Sequence, residues 1–383
     1  MRSFRTTLIA ALGLSFGLAC SGGGDGKVDD SGTDDTNPSG DSGDDTGPTG
    51  DPGYAEVSSP CGGQNVYAIL FASDTVGWVG CGADAGVHET ADGGDSFSEI
   101  DLATGLDIYD LSFAPNGDLY ACGNGTADNV TSFLWRYDGG SWERLLDYDT
   151  VKMSNCGQVA SARDGEIFVV SLTIGDITFS TDGGSTWDPN NERYWAESNL
   201  DDASAKDAYQ IAAMEAVNGG YYGSGSIGTE PPYFYRPSDH PDAEPFNMEV
   251  VTIDGGFRGW SQSLATPDGG TTWLAGGRDE DISDDASGYI YRSEDGGETW
   301  ESLPLGPEID VVHDIKFSED GVHGVAVGHR YPPASKGGFV LLTYDGGQTW
   351  QELDADLPIM QSAAASGGTF WVGGDGYMGR GEF

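Results

Sequence analysis

Beyond residue 57 the apolar positions fall in short runs, each closed within a few residues by Gly, Asp, Asn or Pro. Runs of this kind, carrying Val, Tyr, Phe and Trp, predict strands joined by tight turns. One type of strand ends in glycine: Trp78-Val-Gly-Cys-Gly82, Leu119-Tyr-Ala-Cys-Gly123, Trp273-Leu-Ala-Gly-Gly277 and Trp371-Val-Gly-Gly374. Each follows an apolar strand and a turn, as in Asp110-Leu-Ser-Phe-Ala-Pro-Asn-Gly117. A single stretch departs from the pattern. Over 202–217, Ala208, Ile211, Ala212 and Glu215 keep a helical spacing, which predicts one short helix.

A second motif repeats. Thr90-Ala-Asp92-Gly-Gly94-Asp-Ser-Phe97, Ser180-Thr-Asp182-Gly-Gly184-Ser-Thr-Trp187, Ser293-Glu-Asp295-Gly-Gly297-Glu-Thr-Trp300 and Thr343-Tyr-Asp345-Gly-Gly347-Gln-Thr-Trp350 share one plan, and Tyr137-Asp138-Gly139-Gly140-Ser141-Trp142 is a shortened copy. Asp-Gly-Gly makes a tight hairpin with glycine at positive φ. The Asp and Ser/Thr side chains bond the turn's own backbone. The aromatic residue folds back over the hairpin and buries a face. These residues are therefore read as structural. Thr266-Pro-Asp268-Gly-Gly270-Thr-Thr-Trp273 matches letter for letter, yet it runs straight into a glycine-ending strand, so it reads as the turn between a first and a second strand.

The repeating unit is strand, turn, strand ending in Gly, loop, strand, Asp-Gly-Gly turn, strand. It predicts an all-β chain folded as a single β-propeller of seven four-stranded blades, with six or eight as alternatives. Blades are expected at 64–101, 106–147, 152–190, 208–253, 258–304 and 309–354. The remaining 358–383 supplies three strands, and a strand near 55–59 completes that blade and closes the ring. The motif S/T-x-D-x-G-x-x-W resembles the Asp-box, or bacterial neuraminidase repeat. The chain is similar over about 57–383 to the sialidase-like and photosystem II stability factor-like propellers. The resemblance implies architecture more than activity. Sialidases of this kind carry an Arg-Ile-Pro element and an arginine triad, and neither is found here; the nearest string is Tyr235-Arg236-Pro237.

Charge narrows the function. The chain has 63 acids against 17 bases, a net charge of −46. Residues 1–56 hold ten of the acids and three of the bases, so the folded part itself is strongly acidic. A nucleic-acid partner is excluded for want of a basic face. Residues 1–19 pair Arg2 and Arg5 with an apolar run from Leu8 to Ala19, too short to span a bilayer. With Cys20 following Gly17-Leu18-Ala19, this resembles a bacterial lipoprotein signal, which implies lipidation at Cys20. Ser21 in the next position implies outer-membrane sorting. Residues 20–56, dominated by Asp, Ser, Gly, Thr and Pro, read as a disordered acidic tether. Cys61, Cys81, Cys122 and Cys156 remain, an even number in an exported chain. Cys61 and Cys156 precede first strands, whereas Cys81 and Cys122 end second strands on the same face, which pairs Cys61 with Cys81 and Cys122 with Cys156.

The loops joining second to third strands lie on the face opposite the Asp-Gly-Gly turns. In enzymes the fold resembles, that opposite face holds the active site. Candidate ligand residues there are Arg193, Tyr194 and Trp195 in the longest connection, Arg278 and Glu280, and His329, Arg330 and Tyr331. No zinc spacing and no catalytic residue is read from the sequence, and no cofactor is expected. The function expected is a non-catalytic binding or scaffolding module for a glycan or an envelope protein, acting as a lipid-anchored monomer. A glycoside hydrolase or lyase and an envelope assembly factor are the alternatives. Asp279, Glu280, Asp281, Asp284 and Asp285 cluster enough oxygen for calcium. At no recognisable ligand spacing, they are read as a solvated loop. Calcium at millimolar concentration should therefore leave the melting temperature where an ionic-strength control leaves it. A calcium-specific rise abolished by Asp281→Asn with Asp284→Asn would instead establish a site there.

Overall fold

A computed structural model describes residues 53–82, 86–100, 102, 106–125, 133–147, 156–171, 177–187, 210–226, 231–237, 248–254, 259–279, 288–306, 308–330 and 337–383. β1 (Ala55–Val57) comes first. Blade 1 then holds β2 (Val66–Phe71), β3 (Gly77–Cys81), β4 (Val87–Thr90) and β5 (Ser98–Ile100). Blade 2 holds β6 (Leu106–Phe113), β7 (Leu119–Gly125), β8 (Phe133–Tyr137) and β9 (Trp142–Asp147). Blade 3 has three described strands, β10 (Gln158–Ala160), β11 (Ile167–Val170) and β12 (Ile177–Ser180). Blade 4 is β13 (Gln210–Val217), β14 (Gly220–Ser226), β15 (Tyr233–Pro237) and β16 (Met248–Thr252). Blade 5 is β17 (Gly259–Ala265), β18 (Trp273–Asp279), β19 (Gly288–Ser293) and β20 (Glu301–Leu303). Blade 6 is β21 (Ile309–Phe317), β22 (Gly324–Arg330), β23 (Gly338–Thr343) and β24 (Gln351–Glu352). Blade 7 is β25 (Met360–Ser366), β26 (Thr369–Gly374) and β27 (Tyr377–Glu382), with β1 as its outermost strand. Every blade is an antiparallel meander, so the protein is an all-β, seven-bladed β-propeller.

The ring closes as the sequence predicts. β1 pairs with β27 through Ala55↔Arg380, Glu56↔Gly379 and Val57↔Met378. Tyr54 lies flat over Phe370 at 6.0 Å, and its hydroxyl bonds that of Tyr377 at 2.8 Å. Apolar clusters fill the spaces between consecutive blades, such as Val325, Val340, Met360 and Phe370 between blades 6 and 7. The helix expected within 202–217 is not formed. Of that stretch 202–209 lie outside the described residues, and 210–217 is β13, hydrogen-bonded to β14. Ile211 and Ala213 are buried in the blade interface, and the register shift between them adds Ala212 as a bulge. That extra residue breaks the two-residue alternation of the strand, which is why the spacing imitates a helix.

The Asp-Gly-Gly turns are built alike. In the last one, Thr343 Oγ1 donates to Asp345 Oδ1 at 2.8 Å and accepts from Gly347 N at 2.9 Å. Asp345 also accepts from Thr349 N at 2.9 Å and Thr349 Oγ1 at 2.6 Å. Thr90 with Asp92, Ser180 with Asp182 and Ser293 with Asp295 repeat this. Trp187 and Trp300 each return an indole N–H to the second glycine's carbonyl, Gly184 and Gly297, at 3.0 Å. Phe97 takes the tryptophan's place and packs beside Phe71 and Trp371. The 266–273 segment joins β17 to β18, as expected, yet it has the same bonds: Gly270 N to Thr266 Oγ1, Thr272 N to Asp268 Oδ1 and Trp273 Nε1 to Gly270 O. The motif therefore fits either turn on that face of a blade.

The turns also hold neighbouring blades. Arg136 of blade 2 donates to Gly183 O of blade 3, and Arg380 of blade 7 donates to Gly93 O and Asp95 of blade 1. Trp371 Nε1 reaches the same Gly93 carbonyl at 2.9 Å. Both disulfides form with the predicted pairing, Cys61–Cys81 and Cys122–Cys156. The first lies within blade 1, and the second ties β7 to the start of blade 3. Replacing Asp345 by alanine leaves the turn donors of Thr349 without their acceptor. A loss of about 1–3 kcal/mol is expected in denaturant unfolding, with Asp345→Asn retaining most of the stability; equal losses for both variants would show that the carboxylate oxygens are not what matters.

Candidate functional site

The innermost strands of all seven blades surround an axial channel of about 410 Å³. How they present side chains to it follows from a recurring irregularity. The first strand of a blade carries a register shift, between Val66 and Ala68, Ile108 and Asp110, Ile211 and Ala213, Ser261 and Ser263, Val312 and Asp314, and Met360 and Ser362. A bulge of this kind re-aims one side chain. The extra residues Tyr67, Tyr109, Gln262, His313 and Gln361 line the channel, as does Gln158 of β10. The glycine-ending second strands are the other half of the device. A Cβ on Gly277 would lie 1.8 Å from the Trp260 carbonyl oxygen, and one on Gly328 would lie 1.9 Å from that of Val311.

Towards the face of the Asp-Gly-Gly turns, the channel is ionic. Lys316 Nζ sits 3.4 Å from Glu215 of blade 4 and 3.5 Å from Asp314. Asp314 Oδ2 accepts from Ala363 N of the next blade at 3.0 Å, and Asp110 Oδ2 accepts from Val159 N in the same way at 2.8 Å. Glu319 accepts from Ser366 Oγ and Gly367 N. Desolvation pushes Asp110 up to about 6 against the pull of that N–H bond and Lys316, and it raises Glu215 as well. Desolvation works against the Lys316 ammonium, but Asp314, Glu215 and Asp110 outweigh it and hold its pKa above the ordinary value.

Towards the opposite face, a hydrogen-bonded chain leaves the channel. Gln262 Oε1 meets His313 Nδ1 at 2.7 Å, His313 Nε2 meets His329 Nδ1 at 2.9 Å, and His329 Nε2 meets Asp310 Oδ2 at 3.2 Å. Arg278 Nε lies 3.4 Å from Asp310 Oδ1. Asp310 is 1% exposed, whereas the Arg278 side chain is 38% exposed. Burial, with the second imidazole beside it, lowers His313 to about 3. Burial also lowers His329, against the pull of Asp310. With both rings neutral, His329 Nε2–H donates to Asp310 and His313 Nε2–H donates to His329. Nδ1 of His313 is then an acceptor, which turns the Gln262 amide so that its N–H, in place of Oε1, faces the ring. The Asp310 carboxylate, which can only accept, thereby fixes the tautomer of both rings.

Of the residues singled out in the sequence, the structure brings Arg278 and His329 together through Asp310. Arg330 turns away, onto Glu352 of the outer strand and within 6.0 Å of the Phe339 ring. Arg193, Tyr194, Trp195, Glu280 and Tyr331 lie outside the described residues, as do Asp281, Asp284 and Asp285. Asp279 is buried at the end of β18. Among the described residues no group of three or more His, Cys, Asp or Glu is placed to hold a metal ion. Asp310, His313 and Gln262 were not anticipated, because only strand register brings them to His329.

No family model matches this chain, and no curated protein matches it. Solved structures do. YCF48 from Cyanidioschyzon merolae is 15% identical with a TM-score of 0.58, covering 86% of this chain and 98% of its own. YCF48 bound to D1 peptide is 16% identical at 0.56, covering 88% and 96%. A catalytically inactive virginiamycin B lyase from Staphylococcus aureus with quinupristin is 13% identical at 0.57, covering 86% and 99%. The likeness is one of fold, a propeller shared by proteins of different function.

The buried imidazole sets a pH dependence. A histidine that stays neutral to about pH 3 when folded, but titrates at its ordinary 6.5 when unfolded, contributes stability that is whole above pH 6.5 and is lost as the pH falls. Asp110 has the opposite sign: its folded value of about 6 exceeds 3.8, so acidification between those values favours the folded state. From pH 7 to 5 His313 should cost on the order of 1–2 kcal/mol. The fall in melting temperature over that interval should flatten in His313→Gln; an unchanged slope would contradict a buried neutral ring.

Proposed function

We infer that this chain is an exported lipoprotein, anchored through Cys20 in the bacterial envelope and probing its surroundings with an Asp-box propeller on a flexible acidic tether. Residues 1–19 serve as the signal, 20–56 as the tether and 57–383 as the binding domain. The propeller acts as a non-catalytic binding module for an envelope glycan or protein, on the face opposite the Asp-box turns. One observation carries the non-catalytic reading: each carboxylate lining the described channel, Asp110, Glu215, Asp314 and Glu319, is already bonded to a backbone N–H, a hydroxyl or Lys316. Glycoside cleavage needs two carboxyl groups free to exchange protons across a bond. The two disulfides fit an oxidising compartment, which supports export. The neighbours' own ligands, a D1 peptide and quinupristin, differ too much for the fold to choose between them.

A hydrolase or lyase is the second reading. It is favoured by the Asp310–His329–His313 chain, an arrangement that orients an imidazole for proton transfer. The two separate on one experiment. Wild-type chain should fractionate with membranes and Cys20→Ser with the soluble fraction. The soluble Cys20→Ser chain should then sediment saturably with purified envelope fragments and release no reducing ends or unsaturated products. Soluble wild type, absent sedimentation, or accumulating product would each overturn the corresponding part of the reading.

A further inference from the structure

The channel end nearest the histidine chain has a composition unlike the rest of this acidic molecule. Tyr67, Tyr109, Gln158, Gln262, His313 and Gln361 face it from six of the seven blades, all half-buried and none of them an acid or a base of fixed charge. Blade 4 offers the small Ala212 at its bulge, which leaves room on that side. The tyrosine rings sit 5.2 Å apart, tilted by 51°, and form an aromatic wall. Gln158 Oε1 is buried without a hydrogen-bond partner. The Lys316–Glu215 pair bridges blades 6 and 4 further along and floors the space. The whole channel, about 410 Å³, falls in the range of small-molecule sites, roughly 300–1,000 Å³.

We propose that this ring is a binding site for an uncharged polyhydroxylated ligand, the end of a neutral saccharide one or two sugars long, entering from the face opposite the Asp-Gly-Gly turns. The chemistry matches group by group. A sugar hydroxyl both donates and accepts, and three primary amides do the same. Gln262, its N–H held by His313 Nδ1, keeps its carbonyl oxygen as an acceptor. The C–H face of a pyranose needs an aromatic plane, which Tyr67 and Tyr109 supply. A carboxylated or phosphorylated sugar would meet a net charge of −46 and no unpaired cation in the ring. This deepens the binding reading above and rests on it.

The test uses the full Cys20→Ser chain with three defined probes, cellobiose, maltose and N,N′-diacetylchitobiose, and digalacturonate as the anionic control. Saturation-transfer NMR and calorimetry are run to about 10 mM, where even a millimolar site fills. At least one neutral disaccharide should bind. The double variant Gln158→Ala with Gln361→Ala should weaken it about tenfold or more with an unchanged melting temperature, and Arg330→Ala should not weaken it. Should the double variant melt early, Gln361→Ala alone reads the same loss. Binding undiminished in the ring variants would overturn the channel assignment. Failure of all three neutral probes, or binding of digalacturonate alone, would overturn the ligand class. Either failure leaves sedimentation with envelope fragments intact if the broader reading is right, and that separates the two.

Discussion

In four blades a carbonyl oxygen at or just before the start of the innermost strand stands where a side chain near the end of the second strand would have to be. The glycines concerned are Gly123, Gly277, Gly328 and Gly374, facing Asp107, Trp260, Val311 and Ile359. Each of them pairs with the residue just before a bulge, so the close approach and the bulge are one feature seen from two strands. The bulges turn Tyr109, Gln262, His313 and Gln361 to the channel, and the glycines leave room for them. A motif that looks like simple strand punctuation in the sequence therefore governs what chemistry faces the axis.

The two faces of the ring divide the work. On one, the Asp-Gly-Gly turns satisfy themselves and receive arginine and tryptophan donors from the preceding blade, as at Gly93 and Gly183. Side chains there are spent on holding blades together. On the other, Arg278 of blade 5 and His329 of blade 6, each near the end of a second strand, converge on Asp310 at the start of blade 6's first strand. Among the described residues, charge there converges on the buried Asp310 carboxylate and leads inward to the channel.

Much of the architecture was legible because its signals are local. The Asp-Gly-Gly turns span eight residues and repeat at blade spacing, and the disulfides followed from asking which strand ends share a face. What failed was also local in origin. Ala212, Met214 and Glu215 favour helices in isolation, and the bulge at Ala212 removed the alternation that would have marked a strand. The pairing with β14 decided the outcome. The histidine chain was illegible for the opposite reason. Its members are strand residues on β17, β21 and β22, and their meeting depends on a one-residue register shift between Val312 and Asp314 that no spacing in the sequence encodes. Arg278 and His329 could be placed on the right face, but the carboxylate that joins them could not.

β1 is the outer strand of the blade that β27 ends, so the first and the last described strands share a sheet. β1 has no partner within its own stretch of chain and must wait for the last blade. The entropic toll of so long a loop grows only slowly with its length, but the delay does not shrink. Until β1 and β27 meet, blade 7 lacks its edge and Met360, Phe370 and Trp371 lack their full enclosure. A chain in which β1 and β27 have not yet paired is thus an open ring, suited to being threaded or unfolded, and that pairing is the event that locks it.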